Sequence, residues 1–260
     1  MKKTKVTKKE LKNLIIKNKN ISNIDYSHIT DMSYLFESER QLTKIPFLDT
    51  SNVDNMTGMF MGCSLLESVP DFDTSNVINM GAMFRGCTSL IKFPDIDTSN
   101  VDNMTHMFYN CFSLNDIEGL DTRSATDMSF MFSNCDNLLS IDNLDTSNCN
   151  LMSYMFLGCS NLMKVPVLDT SSVIDMKHAF FDCPFLKSDF HNFVIQPDVN
   201  ITNLFSTVSQ FIELLGKENI INILLERQLI DNFKKKALLS QNNDDTLKNI
   251  VLDSFFKPIT

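Results

Sequence analysis

Carboxylates are the most regularly placed reactive side chains of this sequence. Seven aspartates stand 24 residues apart, and stacked copies would bring them within roughly 5 Å of one another, close enough to bind calcium through oxygen ligands. Most of them open an Asp-Thr-Ser string, which is typical of turns and helix N-caps. We therefore predict a structural role and no metal site, with a calcium-stabilised structural array as an alternative. The aspartates are Asp25, Asp49, Asp73, Asp97, Asp121, Asp145 and Asp169.

Thiols recur with the same period. Stacking would place their backbones within the distance that a disulfide spans, but the sequence holds no Cys-x-x-Cys pair and the total of seven cysteines is odd. The pattern favours buried, free thiols in a reducing compartment, because unpaired cysteine commonly packs as a small apolar residue. The six periodic cysteines are Cys63, Cys87, Cys111, Cys135, Cys159 and Cys183, and Cys149 is the seventh.

Catalytic constellations are not evident. The pattern brings no serine or cysteine beside any of the four histidines, His28, His106, His178 and His191, and no glycine-rich phosphate-binding loop occurs. We predict a protein that is not an enzyme and needs no cofactor.

The whole segment around these residues is repeated. LDTSNVDNMTGMFMGC, residues 48–63, returns in near-copies at 72, 96, 120, 144 and 168, and a more divergent copy begins at 24. Self-similarity at a fixed period indicates a stacked repeat array, in which each copy buries its apolar face against its neighbours.

Within one copy, Val53, Met56, Met59, Phe60 and Cys63 follow helical spacing. They predict a short helix over about 52–61, ended by residues that tolerate a left-handed backbone. Those residues are Gly62, Gly86, Asn110, Asn134, Gly158 and Asp182. The following LLESVPDF predicts a short strand, kept brief by proline in four copies.

The ends of the array differ from its body. A Thr7–Glu10 capping box predicts an N-terminal helix, and helical patterns occur at about 199–215, 218–238 and 244–256. We predict an N-terminal helical cap (1–23), seven repeats (24–191), and a degenerate repeat with an all-helical C-terminal cap (192–260).

Charge is distributed unevenly. The net charge of −9 divides into +7 for residues 1–23, −15 for 24–191 and −1 for 192–260. An acidic body repels phosphates, which argues against a nucleic-acid partner. No apolar run is long enough for a transmembrane helix, and the N-terminus lacks a secretory signal pattern, which favours a cytoplasmic location.

The string LDTSNV-x-NM-x-x-MF-x-GC-x-x-L resembles the repeat of the BspA-like leucine-rich-repeat surface proteins of bacteria. The resemblance covers about residues 24–186, although the repeat of that family is usually one or two residues longer. It implies an α/β, leucine-rich-repeat-like solenoid with a short helix and a short strand per copy, and a cell-surface or adhesive role.

The variable columns offer candidate binding surfaces. On a helix centred on Met56, positions 58 and 61 would face solvent, and from the fourth copy they form what we call the aromatic strip. An alternative is that the C-terminal helices cover it. The strip comprises His106, Tyr109, Phe130, Tyr154, Leu157, His178 and Phe181. A second candidate is the strand-face column of Lys44, Ser68, Lys92, Asp116, Ser140 and Lys164.

These observations together predict a non-enzymatic repeat scaffold that binds a protein partner. The resemblance to the BspA-like repeats favours a surface or host-interaction protein. The absence of a secretory signal pattern favours an intracellular scaffold or effector-type module instead. Neither the partner's identity nor the oligomeric state follows from the sequence.

Overall fold

The repeat copies lie side by side, parallel and in register. The computed structural model describes residues 3–188, 190, 195–230, 235, 238–239 and 244–256. Single β-bridges join each copy to the next at one equivalent position, so the chain is a stack of like units. This ladder of bridges runs through Asp31, Asn55, Asn79, Asn103, Asp127, Leu151, Asp175 and Asn200.

The predicted helix at about 52–61 is wrong. Every second amide donates to the next copy instead of back along its own chain: Gly58 N–H bonds Gly81 O at 2.8 Å and Phe60 N–H bonds Met83 O at 2.9 Å. The amides between them close tight turns, as Met59 N–H does on Met56 O at 3.1 Å. Each copy is thus a run of consecutive β-turns, and the apolar spacing that suggested a helix is produced by these turns.

Two equivalent positions of every copy adopt a left-handed backbone. Each is the third residue of its turn, the position that needs positive φ in a type II turn. The first column has φ between 55° and 59° at Tyr34, Gly58, Ala82, His106, Phe130, Tyr154 and His178. The second has φ between 59° and 76° at Ser38, Gly62, Gly86, Asn110, Asn134, Gly158 and Asp182. The predicted left-handed residues of the second column are therefore confirmed, although no helix ends there.

The apolar positions predicted to face inward do form the core. In the second copy Val53, Met56, Met59, Phe60 and Cys63 are all buried. One phenylalanine per copy stacks on the next with ring centroids 5.4–5.8 Å apart. This column is Phe36, Phe60, Phe84, Phe108, Phe132, Phe156, Phe180 and Phe205.

The predicted strand of each copy is reduced to isolated contacts. Bridges join Lys92 to Asp116 and Ser140 to Lys164. Leu66 and Phe72 point into the core, and Val69 packs partly buried against it.

The N-terminal segment packs on the first copy. Strand β1 (Thr4–Lys5) pairs in parallel with β2 (Ile24–Asp25), and helix α1 (Lys8–Ile16) buries Leu11 and Ile15. The predicted capping box is confirmed, since Glu10 N–H bonds the Thr7 hydroxyl and the Glu10 carboxylate accepts from Thr7 N–H.

The described part of the C-terminal segment includes the helices α2 (Val208–Leu215), α3 (Lys217–Glu226) and α4 (Asp244–Phe255). The third agrees with the pattern at 244–256. The first begins at 208 and not at 199, because residues 199–205 continue the stack: Asn200 bridges Asp175 and Phe205 bridges Phe180.

The second predicted helix, 218–238, ends early. After α3 the chain turns at Arg227, whose guanidinium donates to Val199 O. Residues 231–234, 236 and 237 of that prediction lie outside the described residues.

Candidate functional site

Four rings of the aromatic strip form a continuous stack on the outside of the repeat array. His106 stacks on Phe130 at 4.5 Å, Phe130 on Tyr154 at 4.4 Å, and Tyr154 on His178 at 4.8 Å between ring centroids, with planes within 10° of parallel. We call these four residues the aromatic ladder. They lie closer together than the core phenylalanines.

The backbone under the ladder explains the stacking. All four residues belong to the first left-handed column, so their side chains leave equivalent turns in the same direction, one copy apart. The turns place ring over ring at the separation of neighbouring hydrogen-bonded chains, about 4.7–4.9 Å.

The prediction that these positions face solvent is wrong in part. His106, Phe130 and Tyr154 are half-buried, because the ring faces cover one another and leave the edges exposed, while His178 is only 7% exposed. The ladder is therefore a ridge of ring edges.

The remaining members of the strip flank this ridge. Tyr109 contacts His106 at 5.5 Å, and Phe181 contacts His178 at 5.3 Å between ring centroids; Leu157 is half-buried beside Tyr154. The structure thus brings all seven strip residues onto one surface. The flanking positions Tyr109, Leu157 and Phe181 have a serine, Ser133, as their equivalent in the copy between Tyr109 and Leu157. Ser133 is fully buried, so it interrupts the row of flanking apolar side chains.

Two cations lie against the strip. The Arg85 guanidinium is 5.1 Å from the Tyr109 ring centroid, and the Lys177 ammonium is 5.6 Å from that of Tyr154. Burial, followed by these positive charges, lowers the pKa of His106 and of His178. Both imidazoles are consequently neutral at pH 7, and the ladder is uncharged.

The C-terminal helices meet the ladder at its last member. His178 Nε2 lies 3.2 Å from the Asn203 amide nitrogen, and Asn203 N–H donates to Phe255 O of α4 at 2.8 Å. At the other three rings, the half-exposed edges remain open to solvent.

The aspartate column performs turn chemistry. In most copies the carboxylate accepts from the backbone N–H two residues later, and often from that residue's hydroxyl too, as Ser75 does on Asp73 at 3.2 and 2.6 Å. These bonds lower the pKa of Asp73, Asp145 and Asp169. In the part of the chain that the structure describes, no three carboxylate, imidazole or thiol groups converge as a metal site would require.

The cysteine column is buried and the thiols are free. Each Sγ donates to the carbonyl of the core phenylalanine in the preceding copy, as Cys111 does to Phe84 O at 3.0 Å and Cys159 to Phe132 O at 3.0 Å. Burial raises the pKa of Cys63, Cys111 and Cys159 to about 12.

These thiols should resist thiol–disulfide exchange with an added reagent in the native protein. Because the thiolate is the nucleophile and burial suppresses it, 5,5′-dithiobis(2-nitrobenzoate) at pH 8 should release less than one equivalent of product per chain within minutes. In 6 M guanidinium chloride, all seven cysteines should react at once, which is the control. Rapid reaction of one or more thiols in the native protein would contradict the buried column.

The strand-face column lies on a separate surface. Lys44, Ser68, Lys92, Asp116, Ser140 and Lys164 are all exposed. Lys164 pairs with exposed Asp142 at 3.1 Å, an ion pair that contributes little in solvent. His28 is exposed, and His191 lies outside the described residues.

Sequence reasoning missed an acidic cavity of about 810 Å³ lined by residues 115–123, 140–143 and 145. Among the described residues that line it, Arg123 is the one cation, and it pairs with Asp121 at 2.6 Å. One feature of the sequence could have indicated this cavity. The position that is proline at 46, 70, 94 and 166 is an acidic residue, Glu118 or Asp142, in two adjacent copies. Its carboxylates belong to Asp116, Glu118, Asp121, Asp142 and Asp145.

Comparison with known proteins gives a family and no relative of known activity. A family model described as "Mycoplasma protein of unknown function, DUF285" matches residues 5–116, 30–141 and 126–243 in overlapping units. No curated protein and no solved structure matches the chain. Of the helices that the structure describes, none has the length and apolar character needed to cross a membrane.

Proposed function

The chain belongs to the Mycoplasma family of unknown function DUF285, and from that premise we propose that it is a non-enzymatic repeat solenoid, leucine-rich-repeat-like and capped by helices, that binds a protein partner through the aromatic ladder. The three overlapping matches of the family model support a repeat protein. The binding role rests on the geometry of the ladder.

One observation supports this role above the others, namely that aromatic residues occupy a left-handed column. A side chain other than glycine, asparagine or aspartate in this conformation costs roughly 1–2 kcal/mol. The second left-handed column mostly uses glycine, asparagine or aspartate. The first column instead holds His106, Phe130, Tyr154 and His178 at φ 57–59°. Backbone strain retained at a surface is a reason to infer function there.

Stacking offsets part of that cost. The three ring pairs contribute about 0.5–1.5 kcal/mol each beyond burial, against roughly 1–2 kcal/mol for each of the four left-handed side chains, so the ladder does not stabilise the fold on balance. What it adds is a ridge of exposed aromatic edges flanked by Arg85 and Lys177. Aromatic residues and arginine are the types enriched at the energetic centres of protein interfaces.

The experiment compares partner capture by the native chain, a ladder variant and a matched control. The ladder variant is Phe130→Asn with Tyr154→Asn, because asparagine suits the left-handed backbone. The net loss of folding free energy should stay below about 2 kcal/mol, since strain is relieved as stacking is lost. The control is Lys17→Gln with Lys19→Gln, two exposed lysines that belong to neither candidate surface.

We expect the native chain and the control to enrich the same protein from a cell extract, and the ladder variant to bind it at least tenfold more weakly. Removing an aromatic anchor at an interface centre costs about 2 kcal/mol or more. Equal enrichment by all three, with circular dichroism showing folded proteins, would exclude the ladder as the binding surface.

The location of the protein decides where that partner is found. We propose the cell surface, following the resemblance to BspA-like repeats, with an intracellular scaffold as the alternative. Protease treatment of intact cells would cleave a surface protein. Full protection alongside a cytosolic marker would place the partner inside the cell.

A calcium-stabilised array is less well supported. The aspartate carboxylates are already engaged by turn hydrogen bonds, as at Asp49, Asp97 and Asp145. A thermal melt that shifts on addition of EDTA would revive that alternative.

A further inference from the structure

The aromatic ladder stops short of the N-terminal end of its column. Three earlier copies carry Tyr34, Gly58 and Ala82 at the equivalent position, with φ of 55°, 58° and 56°. The backbone there is the same as under the four stacked rings, so a ring at any of these positions would extend the same stack.

Tyr34 occupies the place of the missing side chain at Gly58. A Cβ built on Gly58 would lie 2.5 Å from Tyr34 Cε1 and 2.6 Å from Cδ1. The Tyr34 ring therefore lies over the Gly58 backbone, where the side chain of that copy would stand, and remains 46% exposed.

One step is left without a ring. Ala82 supplies only a methyl group between the Tyr34 ring over Gly58 and the step of His106, and Ala82 is half-exposed. Adjacent rings of the ladder are 4.4–4.8 Å apart, so two steps span roughly 9 Å, about twice the spacing of hydrogen-bonded neighbours. A flat ring needs about 3.5–4.0 Å of contact distance on each face. The gap over Ala82, which we call the Ala82 slot, therefore fits a single planar group.

We propose that the Ala82 slot binds one aromatic side chain, phenylalanine or tyrosine, of the protein partner, an inference that rests on the proposed function. The inserted ring would stack between Tyr34 and His106 and complete a ladder of six rings. It would anchor the partner at the N-terminal end of the ridge.

Charge favours a neutral ring over a guanidinium group. Arg85 is in the same turn as Ala82, with its N–H bonded to Ala82 O at 3.1 Å, and its guanidinium lies over Tyr109 beside His106. A second cation in the slot would meet that positive charge at close range. An aromatic ring meets no such opposition, and its face attracts a neighbouring cation.

The test uses p-cresol, the side-chain analogue of tyrosine, as a probe on the full chain. Saturation-transfer NMR should detect p-cresol binding to the native protein with a dissociation constant in the millimolar range. Phe112→Ala removes an exposed ring that is not part of the strip or the slot, so it should bind p-cresol as the native protein does. Ala82→Phe would fill the slot with its own ring, as Phe130 does at its step, and should lose the signal at least tenfold.

Two further measurements keep the result decisive. Tyr34→Ala removes one wall of the slot and should also weaken p-cresol binding. This variant tests the slot independently if the Ala82→Phe protein does not fold. 4-Methylcyclohexanol, which has similar polarity but is not planar, and ethylguanidinium should each bind several-fold more weakly than p-cresol. Equal binding of p-cresol to native protein and folded Ala82→Phe, or equal binding of the non-planar probe, would overturn the proposal.

The slot and the proposed function fail separately. If p-cresol binds as expected but the Phe130→Asn/Tyr154→Asn variant captures the same proteins as the native chain, the ladder function is wrong and the slot stands as a ring-binding site. If the ladder variant loses its partner while Ala82→Phe retains full affinity for it, the function stands and the slot is wrong.

Discussion

Replacing Phe108 with alanine is expected to lower the free energy of unfolding by about 3–5 kcal/mol, the usual range for a fully buried phenylalanine. Phe108 is fully buried and stacks on Phe84 at 5.8 Å and on Phe132 at 5.7 Å. Phe93 also contacts its ring edge-on at 6.0 Å. Truncation would remove these contacts and open a cavity in the middle of the stack.

Urea denaturation followed by circular dichroism measures the loss. Phe112→Ala provides a matched control, because Phe112 belongs to the same copy but is 42% exposed, and its truncation should change the free energy of unfolding by less than about 0.5 kcal/mol. Similar losses for the two variants would mean that the phenylalanine column does not carry the core.

Thr122→Val should cost about 2–4 kcal/mol of folding free energy. The Thr122 hydroxyl is buried and makes two bonds to the next copy, donating to Asp145 O at 2.8 Å and accepting from Asp145 N–H at 2.9 Å. Valine has nearly the same shape and makes neither bond, so the part-buried N–H and C=O of Asp145 lose their partner at about 1–2 kcal/mol each.

Thr126→Val is the control for this pair. Thr126 lies four residues later, and its exposed hydroxyl donates to Asp102 O at 3.3 Å, a bond that water can replace. The Thr126→Val substitution should change the free energy of unfolding by less than about 0.5 kcal/mol. A Thr122→Val protein as stable as Thr126→Val would show that the threonine column does not link the copies.

The core could be predicted from the sequence, because each apolar side chain favours burial independently of the others and the repeat period shows which side chains share a face. Val53, Met56 and Phe60 must leave water wherever the backbone allows, and copying the segment at a fixed period required neighbours that cover them. The capping box at Thr7 and the turns at the aspartates were also predictable, because donor and acceptor lie two or three residues apart.

The candidate site could be predicted only in part. The variable columns identified seven residues that the structure brings onto one surface, since the core does not dictate their type. Their orientation on a helix was wrong, and neither the face-to-face stacking nor the gap at Ala82 followed from the sequence. The acidic cavity was missed, because its lining depends on how two adjacent copies without proline lie against each other.

By itself, then, the sequence determined the repeat, its register, the inward side chains and the residues that turn the chain. Only the tertiary structure decided between helix and turn, because apolar spacing fits both and the choice depends on where each amide finds its acceptor. For Gly58 and Phe60 that acceptor lies 23 residues ahead, in the next copy. The same cross-copy hydrogen bonds place one left-handed residue over the next and thereby create both the aromatic ladder and the slot beside it.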